Sequence, residues 1–164
     1  MEQPQYNLFT RDRMEKEYGP LFRAPYKIGT TIWSPLSSGL LSGKYNSGEI
    51  PADSRPTQPG YDWLLQRFEN WKKEGRLDKI KSLSVLAETE LGCSVAQLAI
   101  AWCVKNPNVS TVLMGATNAE QLGENLAALS VVPKLDDAMM AKIEAIMCNK
   151  PDAWDAGFRA FDTI

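Results

Sequence analysis

Histidine is missing altogether from the 164 residues. That removes Ser-His nucleophilic pairs, histidine-bearing zinc sites and imidazole acid–base chemistry from this chain. Cysteine is scarce. Cys93, Cys103 and Cys148 make an odd number at wide spacings, give no metal-type pair, and read as buried reduced thiols of a cytosolic protein. No apolar run approaches the roughly 20 residues of a membrane span. The start, Met1-Glu2-Gln3-Pro4-Gln5, is polar where a signal peptide is hydrophobic. An excess of one charge is lacking too: 18 Lys and Arg stand against 20 Asp and Glu, a net −2. This balance leaves no electrostatic footprint for nucleic acid and no basic cluster for a membrane surface. The rest, 44% hydrophobic and 23% charged, suits an ordinary soluble chain long enough for one core. No internal repeat, low-complexity run or inter-domain linker interrupts it.

The chain is organised around Trp33-Ser34-Pro35-Leu36-Ser37-Ser38-Gly39-Leu40-Leu41-Ser42-Gly43-Lys44-Tyr45. A β-branched run from Lys27 to Ile32 leads into it and reads as a buried strand. In α/β proteins the carboxyl end of a strand is where ligands bind. Gly39 and Gly43 allow close backbone approach or a positive φ. Ser34, Ser37, Ser38 and Ser42 supply hydroxyls, and Lys44 a point charge suited to phosphate. These residue types suit an anionic ligand with a flat ring against Trp33, and a plain glycine-containing turn accounts for them equally. The phosphate loop of nucleotide triphosphatases is excluded: it has four residues between its glycines, then Lys and Ser or Thr. Here three residues separate Gly39 from Gly43, and Tyr45 follows Lys44.

Strands alternating with helical patterns predict parallel pairing. Gln3 to Phe9 is a short extended run, Lys27 to Trp33 a second strand and Val109 to Met114 a third. A polar helix is expected from Thr10, as its N-cap, to Tyr18, with Pro20 as the stop. The long polar loop after Tyr45, marked by Pro51, Pro56, Pro59 and Gly60, carries Arg55. Leu64, Leu65, Phe68 and Trp71 stripe a helix from Tyr61 to Lys73. Leu77, Ile80, Leu83, Ala87 and Leu91 stripe the next, with Gly92 just past its end. Ser94-Val95-Ala96-Gln97 is a capping box opening a helix that buries Val95, Leu98, Ala99, Trp102 and Cys103, and Asn106-Pro107 ends it.

After the third strand, Gly115 to Asn118 is a tight turn into a helix. Thr117 and Glu120 suggest a second capping box, with Leu122, Leu126 and Leu129 turned inward. A helix N-terminus there favours phosphate, although capping alone accounts for Thr117, Asn118 and Glu120. Gln121 and Asn125 lie one turn apart and face alike. Asp136 or Asp137 caps a last amphipathic helix carrying Met140, Ile143, Ile146 and Met147. Beyond Pro151, Trp154, Phe158 and Phe161 are too many aromatics for a wholly solvated tail.

Trp33 to Tyr45, then Ser54-Arg55, then Gly115-Ala116-Thr117-Asn118-Ala119-Glu120-Gln121-Leu122-Gly123-Glu124-Asn125 together resemble the aldo-keto reductases, above all the branch holding the beta subunits of voltage-gated potassium channels. The resemblance runs from about Glu2 to Pro151. It implies an α/β fold: the C-terminal part, about strands six to eight with their helices, of a (β/α)8 TIM barrel that is incomplete in this chain. Such a barrel needs about 250 residues. Residues 1–150 would then be the NADP-binding portion and 151–164 a tail.

The same resemblance implies NADP(H) as cofactor. Gln3 falls where the family binds the nicotinamide carboxamide, and Trp33 where an aromatic stacks on the nicotinamide. Ser34, Leu36 and Lys44 would line the pyrophosphate, with Pro35, Ser38, Gly39 and Tyr45 in the same loop. Arg55, Thr117 and Gln121 would surround the 2′-phosphate end, and Gly115, Glu124 and Asn125 the adenosine half. The family's tyrosine proton donor and its aspartate and lysine partners lie in a segment that none of Tyr6, Tyr18, Tyr26, Tyr45 and Tyr61 matches, so no catalytic residue is assigned.

Two functions are implied. One is part of an oxidoreductase that reduces an aldehyde or ketone by hydride transfer. The other is an accessory subunit, a cytoplasmic homo-tetramer held at the inner face of the plasma membrane by potassium channel alpha subunits. An isolated three-stranded sheet leaves two unpaired edges. The chain is therefore expected to be a fragment, splice form or truncation, inactive alone, that completes itself with an upstream portion.

Overall fold

Among the described residues two strands form the sheet. β1 (Thr31–Trp33) and β2 (Thr111–Leu113) run parallel, with Thr31 opposite Thr111, Ile32 opposite Val112 and Trp33 opposite Leu113. The computed structural model describes residues 1–52 and 54–152, so Trp154, Phe158 and Phe161 of the expected tail lie outside the described residues. On the other flank of β1, Glu2 bridges Thr30 and Gln5 bridges Trp33, both in parallel. The expected N-terminal strand is thus present only as two bridges. Pro4 gives the reason: it accepts from the Trp33 N–H at 3.1 Å but has no N–H to return.

The other two strands are shorter than expected, three residues each. Lys27 stands at φ 43, so the chain is still turning there. Burial is one-sided as well: Ile32 is fully buried while Trp33 is 44% exposed. The reading of this run as a buried strand is corrected to a half-buried one. Among the described residues, helices cover one face of the sheet, and alternation follows.

Five α-helices build the core around that face: α1 (Asp62–Lys73), α2 (Arg76–Leu86), α3 (Val95–Lys105), α4 (Ala119–Ala127) and α5 (Asp137–Met147). α3 is central, burying Val95, Leu98 to Cys103 and packing on β2. It is apolar nearly all round, as a core helix must be. The expected capping box starts it: the Ser94 hydroxyl accepts from the Gln97 N–H at 3.2 Å, and Gln97 Oε1 accepts from the Ser94 N–H at 3.0 Å. α1 buries Leu64, Phe68 and Trp71, and α2 buries Leu77, Ile80, Leu83 and Leu86. α2 continues as a wider turn over Ala87–Leu91, stopped by Gly92 at φ 64. In α5 the cap is Asp136, which accepts from the Met139 N–H at 2.8 Å, and Ile143 and Met147 are fully buried.

Three expectations fail. The first helix has no Thr10 cap; Asn7 Oδ1 instead accepts from the Phe9 and Thr10 amides at 3.0 and 3.1 Å, and only a wide turn, Arg13–Glu17, follows. α4 is capped by Asn118 rather than Thr117, its Oδ1 accepting from the Gln121 N–H at 2.8 Å. Its leucines and Leu129 of the turn after it do not point inward: Leu122, Leu126 and Leu129 are 46%, 50% and 59% exposed. The apolar spacing is there, but the stripe is largely exposed, and Leu126 and Leu129 line an open cleft with Ile100 and Val104 of α3.

One buried cation ties the N-terminal run to the helices. The Arg11 side chain, 3% exposed, lies 2.7 Å from both Glu15 and Glu144, donates to Asn149 Oδ1 at 3.1 Å and sits over the Trp102 ring at 5.1 Å. Tyr6 stacks on Trp102, donates to Glu15 at 2.7 Å and accepts from Asn106 at 3.1 Å. Burial disfavours the Arg11 charge, but hydrogen bonds to Glu144 and Glu15 outweigh it and hold the guanidinium above its ordinary range. Burial, and next the Glu15 charge, push the Tyr6 phenol up; burial first does the same to the Cys103 thiol.

Replacing Arg11 by Met leaves two carboxylates without their cation and should cost about 3 kcal/mol in urea denaturation. Alkali gives a second expectation. Cys103 and Tyr6 titrate from ordinary values of 9.0 and 10.0 when unfolded, and higher when folded. The stability they contribute is therefore complete below pH 9 and falls as pH rises past each unfolded value. Urea midpoints compared at neutral pH and near pH 10 should drop, and Cys103→Ala should flatten the first part of that decline.

Candidate functional site

The two expected turns leave the same end of the sheet. Because Trp33 lies opposite Leu113 in a parallel pair, the chain exits β1 at Ser34 and β2 at Met114 side by side. Gln3 sits on the neighbouring run, its Nε2 donating to Thr31 Oγ1 at 3.4 Å, on the open sheet face that Trp33 and Leu113 share.

The first turn is held in an uncommon shape. Ser34, Ser37 and Ser38 have φ of 57, 49 and 57, and Gly39 and Gly43 have φ of 90 and 81. Left-handed serines cost on the order of 1 kcal/mol each and persist where packing over-determines them. Leu40 and Leu41 are fully buried beneath the turn. Internal hydrogen bonds do the rest. The Ser37 N–H donates to Ser34 O at 3.0 Å, the Gly39 N–H to Leu36 O at 2.9 Å and the Ser38 N–H to Ser34 Oγ at 3.2 Å. Those amides are satisfied within the loop, so hydroxyls and a side-chain cation are what it offers an anion. Asn7, which the sequence reading passed over, fixes the exit from β1 by donating to Ser34 O at 3.0 Å.

Beyond the loop, Lys44 is exposed, its ammonium 5.0 Å from the Tyr45 ring centre and without an ion-pair partner among the described residues. Tyr45 is buried against Phe68, yet its hydroxyl lacks a hydrogen-bond partner among the described residues. Gly39 lies beside both: a Cβ there would sit 3.6 Å from Lys44 Cε, 3.8 Å from its Nζ and 3.9 Å from the Tyr45 oxygen. A cation and an unused polar hydrogen therefore share the open face of a glycine. Pro35 is buried, and Leu36 and Ser38 are half-buried around it.

In the second turn, Gln121 Oε1 accepts from the Thr117 N–H at 3.1 Å and from its hydroxyl at 2.9 Å. Asn125 is buried, with a long 3.5 Å contact from Nδ2 to Gly115 O. Gly115, Thr117, Gln121 and Asn125 are thus brought together. Glu124 points its carbonyl at Gln97, which donates at 3.1 Å, and its side chain is exposed. Arg55 is exposed on the long loop with its guanidinium 5.1 Å from the Tyr61 ring centre.

Two cavities lie elsewhere. One of about 220 Å³ follows the outer edge of β2 and includes Asn125. The other, about 440 Å³, lies among Met14, Glu15, Phe22, Arg23 and Asn106. Neither takes in Trp33, Lys44 or Gln121. Among the described residues there is no metal-holding group of three or more Cys, Asp and Glu, and no single helix is long and apolar enough to cross a membrane.

Residues 1–147 match the aldo/keto reductase family model, and the chain belongs to that family. Over 155 residues it is 47% identical to a protein of Oryza sativa subsp. japonica named probable voltage-gated potassium channel subunit beta. It is 44% identical, also over 155 residues, to an Arabidopsis thaliana protein of the same name. Each match covers 92% of this chain and 44% of the relative, so the chain spans less than half the length of these curated relatives.

Gly43 offers a test of the loop geometry. With φ at +81 and a Cβ that would fall 2.9 Å from Val95 Cγ1, Gly43→Ala combines strain with a clash. It should lower stability by about 2 kcal/mol in chemical denaturation.

Proposed function

We propose that this chain is the NADP(H)-binding part, about strands six to eight, of an aldo/keto reductase barrel. The observation that carries it is the parallel register that sets the Ser34–Tyr45 loop beside the Gly115–Asn125 turn. The residues fit a phosphorylated dinucleotide. Among the described residues Lys44 has no anion of its own and the buried Tyr45 hydroxyl has no partner, and Gly39 leaves the space between them clear. Lys44, Ser34 and Ser38 would hold the pyrophosphate, and Trp33, 44% exposed and next to Gln3, would present a ring face to the nicotinamide. The helix N-terminus at Asn118, with Thr117 and Gln121, would meet the phosphorylated ribose, since amides and the helix dipole favour anions there. When bound, the cofactor supplies a hydride for an aldehyde or ketone. No residue of this chain is assigned the proton transfer that accompanies it.

A second reading is supported by the names of the relatives, both called channel beta subunits. On it the chain belongs to a cytoplasmic, tetrameric accessory subunit bound to channel alpha subunits, and the cofactor reports redox state.

Titrating NADPH while following tryptophan emission tests the first reading. A saturable change is expected, absent in Trp33→Phe, with affinity reduced about tenfold or more in Lys44→Ala because a charged hydrogen bond is lost. No response to NADPH, alone or after mixing with the unmatched portion of the rice relative, overturns it. Retention on a channel cytoplasmic domain without carbonyl turnover would favour the second reading.

A further inference from the structure

Ser34 gives the loop after β1 its direction, and it stands in a conformation that its own sequence opposes. A residue before proline favours extended backbone, and a side chain disfavours positive φ, yet Ser34 has φ 57. The peptide that joins it to Pro35 has no N–H, so its carbonyl is the one polar group by which that peptide plane is held. The carbonyl accepts twice: from the Ser37 N–H at 3.0 Å, within the loop, and from Asn7 Nδ2 at 3.0 Å, across from the N-terminal run. Ser34 Oγ in turn takes the Ser38 N–H at 3.2 Å, so the same residue sets where Ser38 and Gly39 fall.

The Asn7 end of this bond is immobilised. Asn7 is fully buried, and its main chain exchanges two hydrogen bonds with Thr10, at 3.2 and 2.9 Å. Its Oδ1 takes the Phe9 and Thr10 amides at 3.0 and 3.1 Å. Those two donors fix the orientation of the side-chain amide and leave Nδ2 facing Ser34. The turn at Phe9 and Thr10 needs only the oxygen, which aspartate or serine also supplies. The donor is what asparagine adds, and it is spent on Ser34.

We propose that Asn7 is a positioning residue for cofactor binding. Through the Ser34 carbonyl it holds the left-handed turn from Ser34 to Gly39 in the shape that lets Ser34, Ser38 and Lys44 meet a pyrophosphate. The inference rests on the cofactor reading above and deepens it, because Asn7 is fully buried and acts only through Ser34. Strained backbone persists where its surroundings over-determine it. Without the Nδ2 donor, the strain at Ser34, Ser37 and Ser38 is opposed by the loop's own bonds alone, and the turn relaxes away from its binding shape.

Three variants separate positioning from stability. Asn7→Ser keeps an acceptor for the nearby amides but cannot reach Ser34. Asn7→Asp keeps size and acceptors but turns an oxygen towards the Ser34 carbonyl at neutral pH; once protonated, its O–H donates there again. Thr30→Val removes an equally buried hydrogen bond, from Thr30 Oγ1 to Asn108 O at 2.6 Å, at the opposite end of β1. NADP+ is titrated by tryptophan emission in each chain, alone and mixed with the unmatched portion of the rice relative. All three variants should melt lower than the unaltered chain. Only the two at position 7 should lose affinity, about tenfold or more at neutral pH. Asn7→Asp alone should regain most of it on titration to about pH 5. Arg11 and Glu15 of the adjoining turn and Glu144 of α5 are common to every chain, so the comparison isolates position 7.

Affinity that falls with melting alike in all three variants overturns the inference, as does an Asn7→Asp profile parallel to that of the unaltered chain. Should Asn7→Asp not fold at neutral pH, Asn7→Ser decides, by losing affinity beyond Thr30→Val or failing to. Hydrogen exchange without ligand reads the loop itself. The Ser37, Ser38 and Gly39 amides should exchange about tenfold faster in Asn7→Ser and unchanged in Thr30→Val. That pattern with no NADP+ response in any chain sinks the cofactor reading alone, and full affinity in both position-7 variants sinks the positioning role alone.

Discussion

The parallel pairing of β1 with β2 is the constraint on which the rest depends. It is short, with three residues in register, and it survives because Ile32 is driven into a core that α3 dominates. A slip of one residue would turn Ile32 to the open face and Trp33 inward. It would also carry the Ser34 loop out of step with Met114. The same hydrophobic preference that buries one isoleucine therefore aligns two turns that are 80 residues apart, as the pairing of Thr31 with Thr111 makes plain.

Much of the scaffold was legible because local signals agreed with the global packing. The Ser94–Gln97 box, the Gly92 stop and the Leu64–Phe68–Trp71 stripe each combine a chemical cue with a periodicity, and the structure keeps them. Where only one cue was present the reading slipped. Thr117 and Asn118 both accept amide hydrogens well, and the backbone at Asn118, φ −150, chose the second. The strands were overestimated because β-branched residues mark where a strand is favoured; pairing partners decide how far it extends. Leu122, Leu126 and Leu129 were recognised as an apolar stripe, yet what lies opposite a stripe is not written in the stripe itself.

The candidate site divides along similar lines. Residue types and spacing bring out Trp33, Lys44 and the two glycines, and chemistry explains why such a loop suits an anion. They do not reveal that the Ser37, Ser38 and Gly39 amides bond within the loop, nor that the Tyr45 hydroxyl lacks a partner among the described residues; both are three-dimensional facts. Asn7 was invisible for a different reason. Its role is to hold a carbonyl 27 residues away, and one asparagine among loop residues carries no sign of that.

One detail of the core bears on how the chain is threaded. Asn149 Nδ2 donates to Leu8 O at 2.8 Å, next to the Arg11–Glu144 pair, so a residue near the start of the chain is pinned to one near the end of the described residues. Neighbouring ends of this kind make the order of the segments a matter of connectivity more than of packing. A circular permutant that links the Leu8 and Asn149 regions and opens within the polar loop around Gly48 would keep every core helix unbroken. Beads threaded in a different sequence would settle into the same arrangement.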